Sequence, residues 1–330
     1  MKKEALGIDI SKESIDAYLH IKNVHKVFKN TNRGFGELIK WVNKQSGLAL
    51  QELVICFENT GLYSMPLAVY LEQKQMAYCM VSALEIKKSL GLTRGKNDQV
   101  DARRIAEYAF LRKEQLEATC LPSKQLMKLQ KLLSLRSKLV SQRAGFQATV
   151  KETKRVLKQS ENKVYFDTQK KMMTQLSKQI ANVEKEIKAT IVEDQNMSKL
   201  YGLITSVKGI GMVVGANMLV MTKCFTSFEN SRKFACYAGI APFAKQSGSS
   251  LKKRSAVSHY ANKKIKVLLN LAASSAVQYD PELKQYYERR IEQGKSPMST
   301  LNIVRNKLVH RVFAVVNRQE PYVTLYKWAS

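Results

Sequence analysis

The sequence predicts an α/β domain at the N-terminus followed by a mainly α-helical remainder. Three observations support this: short apolar runs alternate with amphipathic segments over the first third, the composition then shifts to Leu, Lys, Gln and Ser, and no proline occurs between Pro122 and Pro242. Alternation of period-2 and period-3.6 patterns is typical of mixed α/β folds. A long proline-free stretch favours long helices. Because 330 residues exceed one core of ordinary size, we expect several domains.

The first domain is predicted to be a sheet of five strands with three helices, in the order β-β-β-α-β-α-β-α. Three short β-rich runs open the chain, and the tight connections between them predict an antiparallel meander. The fourth strand is a continuous apolar run, which is typical of a central strand buried on both faces. The strands are assigned to 5–11, 14–20, 25–30, 52–58 and 76–82, and the helices to 32–45, 63–74 and 98–113. Ribonuclease H-like folds share this order.

From about residue 123 the sequence predicts two long helices, which form either a hairpin or an intermolecular coiled coil. In the second helix, apolar residues from Met172 to Ile187 recur at spacings of four, four, three and four, which makes a narrow seam. The first, over 123–158, carries ten basic residues and one acid. This imbalance favours phosphate contact over a merely solvated face, and Arg136 and Arg143 are its candidate contacts.

The stretch SVKGIGMVVGANMLV (206–220) predicts two helices joined by a Gly-apolar-Gly turn. Glycines at such a turn let the backbone amides of a helix N-terminus approach a phosphate. Lys208, Gly209 and Gly211 are therefore candidate DNA-backbone contacts of the helix-hairpin-helix type. The alternative is a plain tight turn between packed helices.

The charge balance indicates a polyanionic partner. Lys and Arg number 55 against 27 Asp and Glu, a formal net charge of +28, and such a surface attracts nucleic acid and releases its counterions. No apolar run approaches the roughly 20 residues that span a bilayer, and the N-terminus lacks the pattern of a signal peptide. The five cysteines form no CxxC pair. We expect a cytoplasmic, nucleoid-associated protein with no membrane partner.

Four acids occupy positions that suit a two-metal site. Asp9 lies within the first strand, where an uncompensated acid among apolar neighbours is costly. Glu58 ends the central strand, where α/β sheets place ligands, and Asp98 and Asp101 project from one face of the last helix. Taken singly, each has an ordinary explanation, such as a turn, a helix cap or a surface ion pair. Together they would meet at one edge of a ribonuclease H-like sheet and bind a pair of Mg²⁺ ions.

Five blocks resemble, in order and spacing, those of the IS-one-ten family of bacterial insertion-sequence transposases, which includes the Piv-type DNA invertases. They are GIDISKESIDAYL, CFENTGLY, GLTRGKNDQVDARRIAEYA, SVKGIGMVVGANML and RKFACYAGIAPFAKQSGSS. The resemblance implies a RuvC-like domain at 1–118, a helical coiled-coil dimerisation region at 119–197, a mainly α-helical transposase domain at 198–320 and a tail at 321–330. It further implies an Mg²⁺-binding tetrad, matched by Asp9, Glu58, Asp98 and Asp101. Asn59 follows the glutamate where relatives often have alanine.

The same resemblance implies a serine nucleophile in the Ser-Gly-Ser-Ser block, where the matching residue is Ser247. Ser249 and Ser250 remain alternatives, because spacing cannot rank neighbouring hydroxyls. The segment 245–266 holds seven Lys or Arg and no acid, a setting that would hold a scissile phosphate. Its candidate contacts are Lys245, Lys252, Lys253, Arg254, Lys263 and Lys264.

The implied activity is recombination of target and donor DNA by a homodimer or homotetramer, guided by a structured non-coding bridge RNA. One alternative is a Piv-like site-specific invertase that needs no guide RNA. Another is a RuvC-like metal-dependent junction nuclease, or a binding protein that kept the fold. The four acids disfavour a mere binding protein, and the block around Ser247 disfavours a simple junction nuclease.

Overall fold

The computed structural model describes residues 2–89, 91, 97–247 and 251–323. At Leu50, 244–247 and 251–255 it describes the backbone only. The chain forms two compact units, which divide between Leu121 and Pro122. The predicted boundaries at 118, 197 and 320 stay predictions. Within the described residues no helix is both long and apolar enough to cross a membrane.

The N-terminal unit is built on one mixed sheet of five strands in the order β3-β2-β1-β4-β5. β2 runs antiparallel to β1 and β3, whereas β4 is parallel to β1 and to β5. The strands are β1 (Glu4–Ile10), β2 (Ser14–Leu19), β3 (Val24–Lys29), β4 (Leu53–Glu58) and β5 (Cys79–Val81). The helices are α1 (Asn32–Ser46), α2 (Met65–Gln73), α3 (Ala83–Ser89) and α4 (Asp98–Leu111). The predicted mixed α/β sheet is confirmed.

Helix α3 is absent from the predicted order. Its seven residues, ALEIKKS, bury only Ile86. A helix of two turns with one buried side chain shows no apolar repeat, so hydrophobic periodicity cannot detect it.

The two faces of this sheet carry different helices. Phe35 of α1 and Leu67 of α2 join one apolar core with the even-numbered residues of β1 from Leu6 onward. Ile105 and Ala109 of α4 join a second core on the opposite face with Ala5. Because side chains alternate along a strand, odd-numbered residues of β1 face α4.

The C-terminal unit is mainly α-helical, as predicted. Its helices are α5 (Lys124–Thr153), α6 (Lys163–Val192), α7 (Gln195–Thr205), α8 (Met212–Met221), α9 (Ser231–Tyr237), α10 (Lys263–Tyr279), α11 (Pro281–Glu292) and α12 (Pro297–Arg318). One extended core contains buried residues of the long helices α5 and α6 together with those of α7 to α12. The region predicted at 119–197 and the region predicted at 198–320 therefore share apolar packing.

The long helices α5 and α6 pack as an antiparallel hairpin within the chain. The side chain of Arg136 forms an ion pair with Glu184 across the two helices, with 2.7 Å between Nη2 and Oε1. The predicted seam is buried from Ile180 to Ile187, whereas Met172 near its other end is 45% exposed. The seam is thus covered where the hairpin joins the core of the unit.

Two strands that were not predicted from the sequence interrupt the helical C-terminal unit. They are β6 (Pro242–Ser247) and β7 (Leu251–Val257), which pair antiparallel. Serine and lysine are the commonest residues of this segment, which contains the Ser-Gly-Ser-Ser block, and such a block indicates a loop. Among the described residues these strands pack chiefly on each other.

Candidate active site

Asp9 and Glu58 lie on the same face of the sheet, the face that α4 covers. In the register of β1 and β4, Gly7 is opposite Cys56. Asp9 and Glu58 follow these two residues by two positions, so both side chains leave the sheet on the α4 side. Glu58 is also opposite Val81 of β5, which belongs to the core beneath α4. The sheet therefore brings together the two acids that were predicted on separate strands.

Gly7 fixes how closely α4 approaches this face. A methyl group on Gly7 would lie 2.2 Å from the amide nitrogen of Ala106 and 2.4 Å from the carbonyl oxygen of Ala102. The backbone of α4 therefore rests directly on β1, and only glycine leaves room for it. Asp101 directly precedes Ala102, so this contact holds the start of α4 close to Asp9.

The start of α4 is fixed by its cap. Asn97 is the N-cap, and its side chain accepts a hydrogen bond from the amide of Gln99. Asp98 and Asp101 therefore lie in the first turn, where the positive end of the helix dipole favours carboxylates. Asp101 is 3.8 Å from Arg104, which is the ion pair expected at this spacing.

The four carboxylates are coupled electrostatically. The pKa of Asp9 is raised from 3.8 to about 6, chiefly by burial and next by the charges of Asp101 and Asp98. The charge of Glu58 adds to this rise, whereas the backbone amide of Ile10 opposes it. Negative charge is therefore crowded at Asp9.

The acidic face matches Mg²⁺ in its chemistry. Carboxylate oxygens are preferred ligands of this cation, and a bound cation would relieve the repulsion that raises the pKa of Asp9. Among the described residues, which include all four acids, no three potential ligand side chains converge closely enough to hold a metal ion. The donor set thus fits a divalent cation, although the side chains as placed do not form a complete coordination shell.

A fifth acid on this face, Asp16, was missed by the sequence analysis. It lies opposite Asp9 in the β1–β2 register and is only 8% exposed. His25 of β3 holds its carboxylate, with 2.8 Å between Nε2 and Oδ1. The signal was present in SIDAYLH, because an acid within an apolar strand raises the same question as Asp9.

The predicted nucleophile lies in the C-terminal unit. Ser247 is the last residue of β6 and is opposite Leu251 of β7. The backbones of Lys245, Lys252, Lys253 and Arg254 belong to the same pair of strands. The alternatives Ser249 and Ser250 lie outside the described residues.

The Gly-apolar-Gly turn joins α7 to α8 as predicted, but its two glycines differ. Gly209 has a positive φ of 90°, and a methyl group there would lie 2.6 Å from the Cβ atom of Ala276 in α10. Its conformation and its packing therefore account for this glycine. Gly211 caps α8, and a methyl group there would meet nothing within 4 Å. Lys208 beside them is exposed, and phosphate contact at the N-terminus of α8 stays a prediction.

The remaining basic candidates fall into two classes. Lys263 and Lys264 are exposed in the first turn of α10, and partial burial of its ammonium group lowers the pKa of Lys264. Arg136 and Arg143 face α6 instead, where Arg136 pairs with Glu184 and Arg143 donates to Ser177. Their role in nucleic-acid contact stays a prediction, since each already has a partner within the chain.

Two family models match the chain. A model named for the DEDD transposase of IS110 matches residues 6–161, and one described as "Transposase IS116/IS110/IS902 family" matches residues 201–288. The chain belongs to the IS110 family of transposases. This is the IS-one-ten family of the sequence resemblance, and the chain is accordingly a DNA transposase or recombinase.

Curated relatives of this IS110-family transposase include the pilin gene-inverting proteins of Moraxella lacunata and Moraxella bovis. Each is 28% identical to it over 98% of both chains. The insertion element IS110 43.6 kDa protein of Streptomyces coelicolor is 31% identical over 34% of this chain and 28% of its own length. The first family match contains all four acids, and the second contains Ser247.

Proposed function

We propose that this IS110-family transposase cuts and rejoins DNA through a covalent serine-phosphodiester intermediate. The acids on the α4 face of a RuvC-like domain would act with Ser247 of the C-terminal unit. The coupling of Asp9 to Asp98, Asp101 and Glu58 supports the cation-dependent part of the proposal, because crowded carboxylates next to a polyanionic substrate require cations. The assignment of Ser247 rests on the resemblance of its sequence block to the family.

The chemistry at Ser247 would be a transesterification. The serine oxygen attacks phosphorus, the new O–P bond replaces the bond to one deoxyribose oxygen, and the proton of the serine leaves to solvent while the departing oxygen takes one up. The number of phosphoester bonds is unchanged, so rejoining needs no ATP. The lysines and arginine around Ser247 would stabilise the negative charge that develops on the phosphate.

Asp9, Glu58, Asp98 and Asp101 would hold the divalent cations, for which we propose a pair of Mg²⁺ ions. When bound, these ions polarise the phosphate and stabilise the attacking and leaving oxygens. Arg104 beside Asp101 would limit repulsion within the acidic face before the ions bind. We propose that the active form is a homodimer or homotetramer.

A covalent-adduct assay tests the serine. The wild type and the variants Ser247→Ala, Ser249→Ala and Ser250→Ala are incubated with a recombination substrate, and protein-linked DNA is separated under denaturing conditions and mapped by peptide mass spectrometry. We expect adduct and recombinant product to disappear only in Ser247→Ala. An adduct on Ser249 or Ser250 would reassign the nucleophile, and full recombination by Ser247→Ala would refute the mechanism.

A second assay tests the acids. Asp9→Ala and Asp101→Ala should fold and bind DNA but lose recombination, and chelation of Mg²⁺ should abolish activity in the wild type. Glu13→Gln, a change at an exposed acid in the turn after β1, is the matched control and should remain active. Activity that persists after chelation would show that the acids do not act through a cation.

We propose that a structured non-coding RNA guides the reaction by pairing with target and donor DNA. The net charge of +28 supports several polyanionic partners at once. The Moraxella relatives favour a second candidate, site-specific inversion without a guide, since they are named for gene inversion and match over 98% of this chain. Recombination is measured with and without RNA transcribed from the flanking DNA; dependence on that RNA supports guidance, and equal activity without it supports the invertase.

A further inference from the structure

The C-terminal unit contains a buried arginine without a counterion. Arg305 of α12 is only 5% exposed, and among the described residues no carboxylate forms an ion pair with it. Its Nη1 donates to Asn302 at 3.3 Å, its Nη2 donates to Asn270 of α10, and its buried Nε has no partner there. Burial lowers the pKa of this guanidinium. Such a group is costly to keep, so its position requires a reason.

The polar groups around Arg305 extend to the root of the β6–β7 hairpin, by which we mean the two segments that connect it to the helices. The first leg leads into β6 and the second leads out of β7. Asn302 and Asn306, one turn apart on α12, both donate to the carbonyl oxygen of Ile240, at 2.8 and 2.9 Å. Ile240 is fully buried and lies two residues before β6. Arg305 lies between the two asparagines in sequence and binds one of them. The guanidinium thus belongs to a network that fixes the first leg of the hairpin.

The second leg of the hairpin is fixed beside the first. The amide of Asn262 donates to the carbonyl oxygen of Tyr237 at 2.9 Å, and its side chain donates to the tyrosine hydroxyl at 2.7 Å. Gly239 has a φ of 64°, and a methyl group there would lie 2.3 Å from the Cβ atom of Ala261. Both legs are therefore held at one place, where Asn262 also begins α10.

We infer that Arg305 is a positioning residue for the nucleophile: by joining Asn270 of α10 to Asn302 of α12, it fixes the root from which β6 carries Ser247. A planar guanidinium suits this task because its donors point in two directions, toward amide oxygens on two different helices. An apolar residue would fill the space at lower cost but would leave the two helices unlinked. The consequence for catalysis rests on the proposed serine chemistry, whereas the consequence for the hairpin does not.

The test separates position from stability. Arg305→Lys keeps the positive charge but loses the two-pronged guanidinium, and Arg305→Met removes the charge at similar volume. The matched control is Arg318→Lys, at the exposed end of the same helix. Thermal unfolding, DNA affinity and the single-turnover rate of adduct formation are measured for each. We expect about 100-fold slower adduct formation in both Arg305 variants, DNA affinity near that of the wild type, and a midpoint of unfolding in Arg305→Met that is unchanged or higher. The control should match the wild type throughout.

Backbone amide exchange provides a readout that needs no chemistry. In Arg305→Lys, exchange should accelerate over 242–247 and 251–257 and stay unchanged in α8. Unchanged exchange in the hairpin, or a wild-type rate of adduct formation, would overturn the role of Arg305. If Arg305→Met does not fold, Arg305→Lys decides by the same two measurements. If the wild type forms no adduct, the serine mechanism fails, and amide exchange still decides whether Arg305 holds the hairpin.

Discussion

The carboxyl of Asp9, on the α4 face of the sheet, has a strongly perturbed pKa. Its pKa of about 6 exceeds the ordinary value of 3.8, with burial as the largest cause and the charges of Asp101 and Asp98 next. The native protein therefore binds a proton at Asp9 over a pH range in which the unfolded chain has released it. Stability should fall as the pH rises from about 4 to about 6 and then level off.

We predict that Asp9→Asn stabilises the protein at pH 7.5 in the absence of divalent cations. The pKa shift corresponds to at most about 3 kcal/mol, and because this carboxyl is only half-buried, screening by solvent reduces the expected gain to about 1 kcal/mol. The gain should disappear below about pH 3, where the wild-type carboxyl is protonated in both the native and the unfolded state. Thermal unfolding at the two pH values measures it, and a variant less stable than the wild type at pH 7.5 would contradict it.

The same measurement with Mg²⁺ tests the metal assignment. A cation that binds only the native state raises stability in proportion to its occupancy. The unfolding temperature of the wild type should therefore rise with Mg²⁺, and that of Asp9→Asn should change little. An equal rise in both proteins would place the binding elsewhere.

Individual residues differ in how far their roles could be predicted. Asp9 and Glu58 stood out because acids at those points of apolar strands are unusual. Asp16 is likewise an acid within an apolar strand, but it was not predicted as a site residue. Its partner His25 lies on the neighbouring strand, and only the register of the two strands brings them together. The role of Arg305 could not be predicted, because an arginine in a basic protein is expected to lie on the surface and only the structure shows that this one is buried.

At the scale of elements, the contact between α4 and β1 determines the site. Asp98 and Asp101 belong to the helix, Asp9 belongs to the strand, and Gly7 sets the distance between the two backbones. Moving α4 outward would therefore separate the acids without altering any of them.

We predict that Gly7→Ala destabilises the protein by about 3 kcal/mol or more, because the added methyl group would meet the backbone of α4 rather than a side chain that can rotate. Gly36→Ala is the matched control in the same unit, since a methyl group there would meet only the hydroxyl of Tyr70 at 3.6 Å. In helix α1 this alanine should be neutral or stabilise by up to about 1 kcal/mol. Urea unfolding compares the two, and equal stability would show that α4 does not rest on Gly7.

Elements were predictable in proportion to their length and burial. The inner strand β4, with its continuous apolar run, and the long helices α5 and α6 carry patterns that can be recognised from the sequence. The strands β6 and β7 carry no such pattern. They form by pairing with each other and by anchorage at Ile240, and local composition does not reveal these contacts. The intramolecular α5–α6 hairpin was one of two arrangements that the same seam allowed, and ion pairs such as Arg136 with Glu184 distinguish it in the structure.

At the scale of the whole molecule, we expect the surplus of basic residues to attract DNA electrostatically. Only exposed lysines and arginines without an acidic partner release counterions when they reach a phosphate. Lys208 and Lys263 are exposed, whereas Arg136 already forms an ion pair with Glu184.

We predict that DNA binding weakens steeply with salt and that Lys208→Gln and Lys263→Gln each reduce the slope of log K against log salt by about 1. Lys40→Gln, an exposed position on α1 over the sheet face opposite the acids, is the control and should leave the slope unchanged. Binding is measured by fluorescence anisotropy over a salt series. A slope unchanged in the first two variants would remove these lysines from the interface.

The length of the β6–β7 hairpin amplifies any small tilt at its root into a larger displacement of Ser247. Ser247 lies seven positions after Ile240 at the root, so at about 3.3 Å per residue the serine stands at most about 23 Å from its support. A tilt of about 6° at the root would move it by about 2 Å, whereas in-line attack tolerates roughly 0.5 Å. Bonds at the root set the direction of the hairpin, but a small residual tilt there still exceeds this tolerance at the tip. Under the proposed serine chemistry, a contact near the tip would therefore have to complete the alignment of Ser247, and the phosphate under attack would be the group best placed to provide it.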